Sequence, residues 1–337
     1  MSRNANRLLI RLTVAPLAVF ASAAVVSQQP VPFAPPARIT STQAESFDQH
    51  LQAARASAGT EWLGVVEHMC TRGQVVTGSA QDPLIEPVRI FDNVYAIGRT
   101  STVVYVIATS AGLVLIDSGY PDQVDSVLLP GMEQLGLDPL DIRYVIVLHG
   151  HADHYGGSPH LQERFGARVV ASEADWVLME DSDPNSGRPP APTRDVVAVE
   201  GEPILLGDGM VTPFPVPGHT PGAISVIFPV RDGDATHTAA VFGGTALTVP
   251  RLGDALPQYL ESIDRFASIA SDMGVDVVLQ NHPLFDGMPA KLERLKDRSA
   301  GEPHPFVLAA PDSYQRFMQT LAECSRAQMA AAVSSED

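Results

Sequence analysis

His149-Gly150-His151-Ala152-Asp153-His154 follows directly on the apolar run Ile142-Arg143-Tyr144-Val145-Ile146-Val147-Leu148. The run reads as a buried strand, so three imidazoles and one carboxylate reach the rim of a sheet within six residues. In an extended or turning backbone His149 and His151 point to the same side and can share one metal ion. Asp153 and His154, past a bend, face a second position close by. Imidazoles with a single carboxylate suit zinc, whereas magnesium and calcium prefer all-oxygen shells. A polar loop of solvated histidines is the competing reading. It leaves unexplained why four metal-type ligands crowd directly behind a core strand.

Working upstream, residues 88–91, 94–97, 102–109 and 113–116 are short β-rich runs separated by Asp92-Asn93, Gly98 and Ala111-Gly112, which predicts an antiparallel meander. Asp117-Ser118-Gly119 closes the fourth run, and a helix is expected over about 123–135. Downstream come a helix near 158–165, a strand at 168–171 and a helix starting around Glu173. The proline-rich loop 181–193 then either flanks a pocket or connects two halves. The second half repeats the pattern. Strands are expected at 202–206, 210–216, 223–228 and 238–242, then Gly243-Gly244, a helix at about 256–272, a strand at 275–279, and helices near 290–298 and 312–331. Strands followed by helices, twice over, predict an α+β fold: two β-sheets packed together with helices on their outer faces.

The amino terminus carries an address. Arg3, Arg7 and Arg11 precede an apolar run over 12–26, and Ala21-Ser22-Ala23 offers a small-x-small cleavage site, so residues 1–23 read as a signal peptide. A membrane anchor is the other reading, but the run is short for a span and contains Pro16. The expectation is therefore a periplasmic protein with no stable membrane insertion after cleavage. Residues 24–86 read as an amino-terminal arm, loose and exposed over 24 to about 58 with a short helix at about 46–56, and residues 87–337 as the folded domain.

At 337 residues, 45% hydrophobic and 18% charged, the composition is that of a globular protein. Cleavage after residue 23 removes three arginines and no acid, taking the net charge from −17 to −20. A surface this acidic argues against nucleic acid as a partner. The two cysteines, Cys70 and Cys324, lie far from the histidine cluster. In an oxidising compartment they are expected to pair, tying the amino-terminal segment to the last helix, with free thiols as the alternative.

Two more histidines sit at strand ends. Pro217-Gly218-His219-Thr220-Pro221-Gly222 holds one in a turn stiffened by prolines and glycines, and Asn281-His282-Pro283 follows the strand at 275–279. Alone, each is as readily structural; beside a four-ligand cluster, each is a candidate ligand. His50, His68, His160, His237 and His304 are expected to pack or to face solvent, as is Trp176.

His149-x-His151-x-Asp153-His154, Gly218-His219-Thr220-Pro221-Gly222 and the late His282 resemble the metallo-β-lactamase superfamily, from about Val88 to the carboxy terminus. The resemblance implies an αββα sandwich of two mixed β-sheets flanked by helices, with residues 87–337 forming a hydrolase domain. The chain is most similar to subclass 3 of the class B β-lactamases. That likeness extends to Asn281-His282-Pro283-Leu284-Phe285-Asp286, Lys291-Leu292 and Pro303-His304-Pro305-Phe306-Val307, followed by a helix containing Tyr314. It implies two zinc ions per chain, one held by His149, His151 and His219 and the other by Asp153, His154 and His282. Asp117 matches the aspartate that orients the ligand-bearing loop without binding metal.

The implied chemistry is attack by a zinc-bridging hydroxide on an amide or ester carbonyl, with Asp153 as the catalytic carboxylate that shuttles a proton. The substrate is then a small molecule, a β-lactam or another cyclic amide or ester, and the consequence is antibiotic resistance. Thr245 stands where glyoxalase- and lactonase-like members place a metal-bridging aspartate, which disfavours those branches. Subclass 3 shows serine there and a second polar residue two positions on, whereas this chain has Thr245 and Leu247. Thr245 and Tyr155 are candidate substrate contacts, with packing the first reading of Tyr155 and pocket-lining the second, and the departure at Leu247 keeps a lactone or other ester hydrolase open as the alternative. A non-catalytic zinc protein is a third reading, disfavoured because three ligands per ion leave positions open, as catalytic sites do.

Overall fold

The structure, a computed structural model, describes residues 41–70, 82–181, 188–245, 252–299 and 301–332. The expected signal peptide and Leu247 lie outside the described residues. Among the described residues no helix is long and apolar enough to cross a membrane.

Seven strands form the first sheet, in chain order across it. β1 (Leu84–Phe91), β2 (Val94–Arg99), β3 (Val103–Thr109) and β4 (Gly112–Ile116) are the antiparallel meander. β5 (Ile142–Ile146), β6 (Arg168–Ala171) and the short β7 (Val196–Val197) continue it in parallel. In the second sheet β8 (Ile204–Leu206), β9 (Gly209–Pro215), β10 (Ile224–Asp232) and β11 (Ala235–Val241) are antiparallel, and β12 (Val277–Leu279) joins β11 in parallel. Both sheets are mixed, as the resemblance implied.

Alternation along the strands builds the layers. Val103, Tyr105 and Ile107 of β3 enter the apolar layer between the sheets, where Val226 and Phe228 of β10 and Val241 of β11 meet them. Val104 and Val106 face the other way, towards Leu128, Met132, Leu161 and Trp176. Those side chains come from a helical layer. It comprises a wide turn over Val124–Leu128 running into α3 (Leu129–Gln134), then α4 (Ala152–Tyr155), α5 (Ser158–Phe165) and α6 (Glu173–Glu180). On the far side, Ile227, Ala240 and Val278 of the second sheet pack against a second helical layer. That layer is α1 (Ser41–Ala58), α2 (Leu63–Met69), α7 (Leu252–Asp272) and α9 (Ser313–Ala332), while α8 (Met288–Lys296) sends Met288 and Leu292 into the space between the sheets. Four layers require three apolar interfaces, and three are present, giving the αββα sandwich.

One expectation is corrected. Part of the segment read as a loose arm is a docked pair of helices. Phe47, Ala54 and Ala58 are buried with Leu51 packed beside them, an apolar stripe at helical spacing that lies against α9. Trp62, Val65, Val66 and Met69 extend it. Trp62 Nε1 donates to Ser313 O at 3.0 Å, and a disulfide between Cys70 and Cys324 ties the end of α2 to α9.

Candidate metal centre

The ligand-bearing loop is pinned before it leaves the sheet. Val147 N donates to Val170 O of β6 at 2.9 Å, and Leu148 O accepts from Ile224 N of β10 at 2.8 Å, so this stretch bridges the two sheets. His149 and His151 flank a tight turn at Gly150, with His151 N donating to His149 O at 3.0 Å, rather than lying in one extended run, and α4 then turns Asp153 and His154 to a second position. His219 sits in a turn closed by Val216 N on Ala223 O at 2.7 Å and Gly218 N on Thr220 O at 3.0 Å. Gly244, at φ 70°, lies against the His219 ring; a Cβ there would come within 2.5 Å of His219 Cβ. His282 follows β12, and its Nδ1–H donates to Ser101 O at 2.6 Å.

The six predicted ligands gather into two groups, His149 with His151 and His219, and Asp153 with His154 and His282, the ligand atoms of each lying within 4.8 Å of one another. His219 Nε2 is 3.1 Å from His149 Nε2 and 2.9 Å from His151 Nδ1. That spacing matches the ~3.3 Å edge of a tetrahedron around zinc with bonds of ~2.0–2.1 Å. His154 Nε2 lies 3.2 Å and His282 Nε2 3.9 Å from Asp153 Oδ2. The His149 and His154 rings are 3.9 Å apart between centroids, so the two groups are adjacent.

The donor atoms fit metal ions. His154 Nε2 is buried with no hydrogen-bond partner, out of alignment with Asp153 despite its proximity. The other ring nitrogens of His154 and His282 are engaged by Asp117 and Ser101, which turns Nε2 of each towards Asp153. Without metal, burial and the neighbouring imidazoles hold His149 well below the usual histidine range, and burial and His154 lower His282. Both therefore stand ready as neutral ligands. Burial opposes charge on His154, but Asp153 and Asp117 outweigh it and push its pKa up to about 10. Burial would raise Asp153, yet the positive charge of the neighbouring His154 holds it far below the ordinary carboxylate range. A metal cation would take the place of the His154 proton.

Two buried carboxylates brace the ligands. Asp117, where β4 ends, accepts from Leu148 N at 2.8 Å, His154 Nδ1 at 2.7 Å and Asn281 Nδ2 at 3.1 Å. Asp175, on α6, accepts from Gly150 N at 2.7 Å, Thr220 Oγ1 at 2.8 Å and Gly222 N at 2.9 Å. Sequence reasoning missed Asp175. It stands three residues after Ser172, whose hydroxyl caps α6, so it resembles an ordinary first-turn acid. Its only visible signal was the glycine and threonine pattern of the two loops it serves.

The two candidate substrate contacts are placed elsewhere. Thr245 is fully buried, its hydroxyl donating to Gln280 Oε1 at 2.5 Å, while Tyr259 OH donates to Thr245 O. Tyr155 is fully buried in the layer beneath the first sheet, and its hydroxyl donates to Pro189 O at 2.9 Å. Both are structural struts. His304, also buried, donates from Nε2 to Ile90 O, in keeping with its expected packing role.

Comparison with known proteins agrees with this geometry. Residues 97–236 match the model of the metallo-beta-lactamase superfamily. The chain is 30% identical to BJP-1, a subclass B3 metallo-beta-lactamase of Bradyrhizobium japonicum, with a TM-score of 0.62 over 72% of this chain and 92% of that structure. It is 31% identical over 129 residues to a hydroxyacylglutathione hydrolase of Acidiphilium cryptum, covering 37% of this chain and 45% of that one. It is 24% identical over 220 residues to an N-acyl homoserine lactonase of a Bacillus species, covering 56% and 82% respectively. The chain spans about half the length, or less, of the hydroxyacylglutathione hydrolase it matches. With the sandwich, the two ligand groups and near-complete coverage of a 30%-identical structure all in agreement, the chain belongs to the metallo-β-lactamase superfamily.

Proposed function

We propose that this protein is a periplasmic dizinc hydrolase that opens the amide ring of β-lactams and so confers antibiotic resistance. The observation that carries the reading is the pair of adjacent three-ligand groups, one all-histidine and one with Asp153, on a sandwich that covers 92% of a subclass B3 enzyme. Three protein ligands per ion leave a coordination position for water or substrate.

In this reading His149, His151 and His219 hold one zinc, and Asp153, His154 and His282 the other. Bound there, zinc supplies a Lewis acid for the carbonyl oxygen and a water of lowered pKa. The protein's own part is positional. Asp117 fixes the His154 tautomer through Nδ1, and Ser101 O does the same for His282. Asp153, partly exposed where His154 is buried, is the carboxylate placed to hold a proton and return it to the departing nitrogen. Both cysteines are joined in the disulfide, so neither is a nucleophile.

A lactone or other ester is the second reading. It is favoured by the likeness to an acyl homoserine lactonase and by the buried Thr245 hydroxyl, which leaves that position without a donor for a drug carboxylate. The test is hydrolysis of a carbapenem, a cephalosporin and a simple lactone by the zinc-loaded protein, with and without chelator. Chelator-sensitive β-lactam turnover at high kcat/KM supports the first reading. Two bound zincs with lactone turnover alone transfer the function to the second.

A further inference from the structure

We propose that Asp175 is a positioning residue of the three-histidine centre, a side chain that fixes its two ligand loops to each other. The inference rests on the reading of these histidines as a metal site, but not on which substrate is hydrolysed. His149 and His151 belong to one loop, and His219 to another some seventy residues on in the chain. Gly150, between the first two ligands, donates its N–H to Asp175 Oδ2; Thr220, next to the third, donates its hydroxyl to the same oxygen; Gly222 donates its N–H to Oδ1. Both carboxylate oxygens are thus spent on the two loops, and the side chain is 1% exposed.

Close approach makes the bracing specific. A Cβ at Gly222 would fall 2.1 Å from Ser172 Oγ and 2.4 Å from Asp175 N, so only glycine lets the His219 turn reach the first turn of α6. Gly150 and Gly222 have no side chains through which packing could hold the loops in register. Hydrogen bonds from backbone N–H groups to a buried carboxylate are short and directional, and they fix the loops where van der Waals contact would leave them free to slide. The arrangement parallels Asp117 at the other centre, which collects Leu148 N, His154 Nδ1 and Asn281 Nδ2. Each centre therefore has its own buried carboxylate. Loss of Asp175 is expected to loosen the three-histidine centre and spare its neighbour.

The experiment measures stepwise Zn²⁺ and Co²⁺ affinities of the full chain by competition with a chromogenic chelator. Cobalt spectra distinguish the all-nitrogen centre from the one containing Asp153, and far-UV circular dichroism reports the fold. Asp175→Asn keeps the shape but turns a donor towards donors. It is expected to weaken the all-nitrogen step by roughly 10- to 100-fold and to leave the other within about threefold. Thr220→Val removes one of the three bonds and is expected to weaken the same step by roughly three- to tenfold. Equal weakening of both steps in proportion to lost thermal stability, or no change in either, overturns the proposal. Should Asp175→Asn not fold, Thr220→Val decides alone by the same criterion. A wild-type chain that takes up no metal defeats the dizinc reading and this inference together. A wild type with two metals and an unchanged Asp175→Asn defeats only this one.

Discussion

Asp117 Oδ2 lies 2.7 Å from His154 Nδ1, and both side chains are fully buried. The contact makes Nδ1 the donor to Asp117, so Nε2 is the ring nitrogen turned towards Asp153. Asp117 holds φ 63°, an unfavourable region for a residue with a Cβ, and three hydrogen bonds keep it there. In Asp117→Asn the new amide would oppose the N–H groups of His154 and Asn281 and favour the wrong tautomer. The expected outcome is a roughly 10- to 100-fold weaker metal step at the Asp153 centre, with the three-histidine centre retained. Metal content after dialysis against graded chelator checks it, and two zincs held at wild-type affinity would refute the role.

His151 and Asp153 sit at the rim, partly exposed, and neither belongs to an apolar layer. Alanine at either position removes a ligand but no core contact. Turnover should fall to background while the circular dichroism spectrum is kept and Tm shifts by only a few degrees in the metal-free proteins. Activity retained by a variant whose metal content has been verified would sink the assignment.

These contrasts mark what the sequence made legible. The ligands could be read because metal chemistry leaves a local trace: four donor residues in six positions, and two more histidines at the ends of predicted strands. The sandwich could be read from alternation, as in Val103 to Ile107, where odd and even residues enter different apolar layers. Asp175 could not, because its partners are two backbone N–H groups and a hydroxyl 25 to 47 residues away. Tyr155 carried two readings, packing and pocket-lining, and its burial decides for packing. It is next to His154 in sequence, but one helical step of ~100° turns it from the ligands into the core. The stripe Phe47, Leu51, Ala54 and Ala58 was readable as a helix, but the α9 face that covers it comes from the far end of the chain.

The disulfide closes a long loop, joining Cys70 to Cys324 at a sequence separation of 254. Cross-linking restricts the unfolded chain more as the loop lengthens, and loss of a native bridge typically costs ~2–5 kcal/mol. Cys70→Ser with Cys324→Ser should therefore lower stability by about that amount, releasing α1 and α2 from α9 first. Urea unfolding of the oxidised protein against the double variant measures it. Equal midpoints would show that the packing of Trp62 and its neighbours holds these helices without the bond.

Asp286 and Lys291 form a second buried pair, Oδ2 and Nζ 3.8 Å apart. Burial outweighs the pull of Lys291 and raises the Asp286 pKa to about 6, from 3.8 for an ordinary aspartate. Burial likewise lowers the Lys291 amine, with Asp286 pulling the other way. A carboxyl whose folded pKa lies above its unfolded value binds its proton more tightly in the native state. Its stabilising contribution is then complete below pH ~4 and is lost as pH rises through about 6. A shift of this size corresponds to ~3 kcal/mol at most. Asp286→Asn mimics the neutral form at every pH, so its unfolding free energy should decline less between pH 4 and pH 7 than that of the wild type. Parallel urea titrations across that window measure the difference. Coincident slopes would mean that Lys291, with its ammonium 5.2 Å from the Trp62 ring and 5.3 Å from the Phe306 ring, keeps Asp286 ionised throughout.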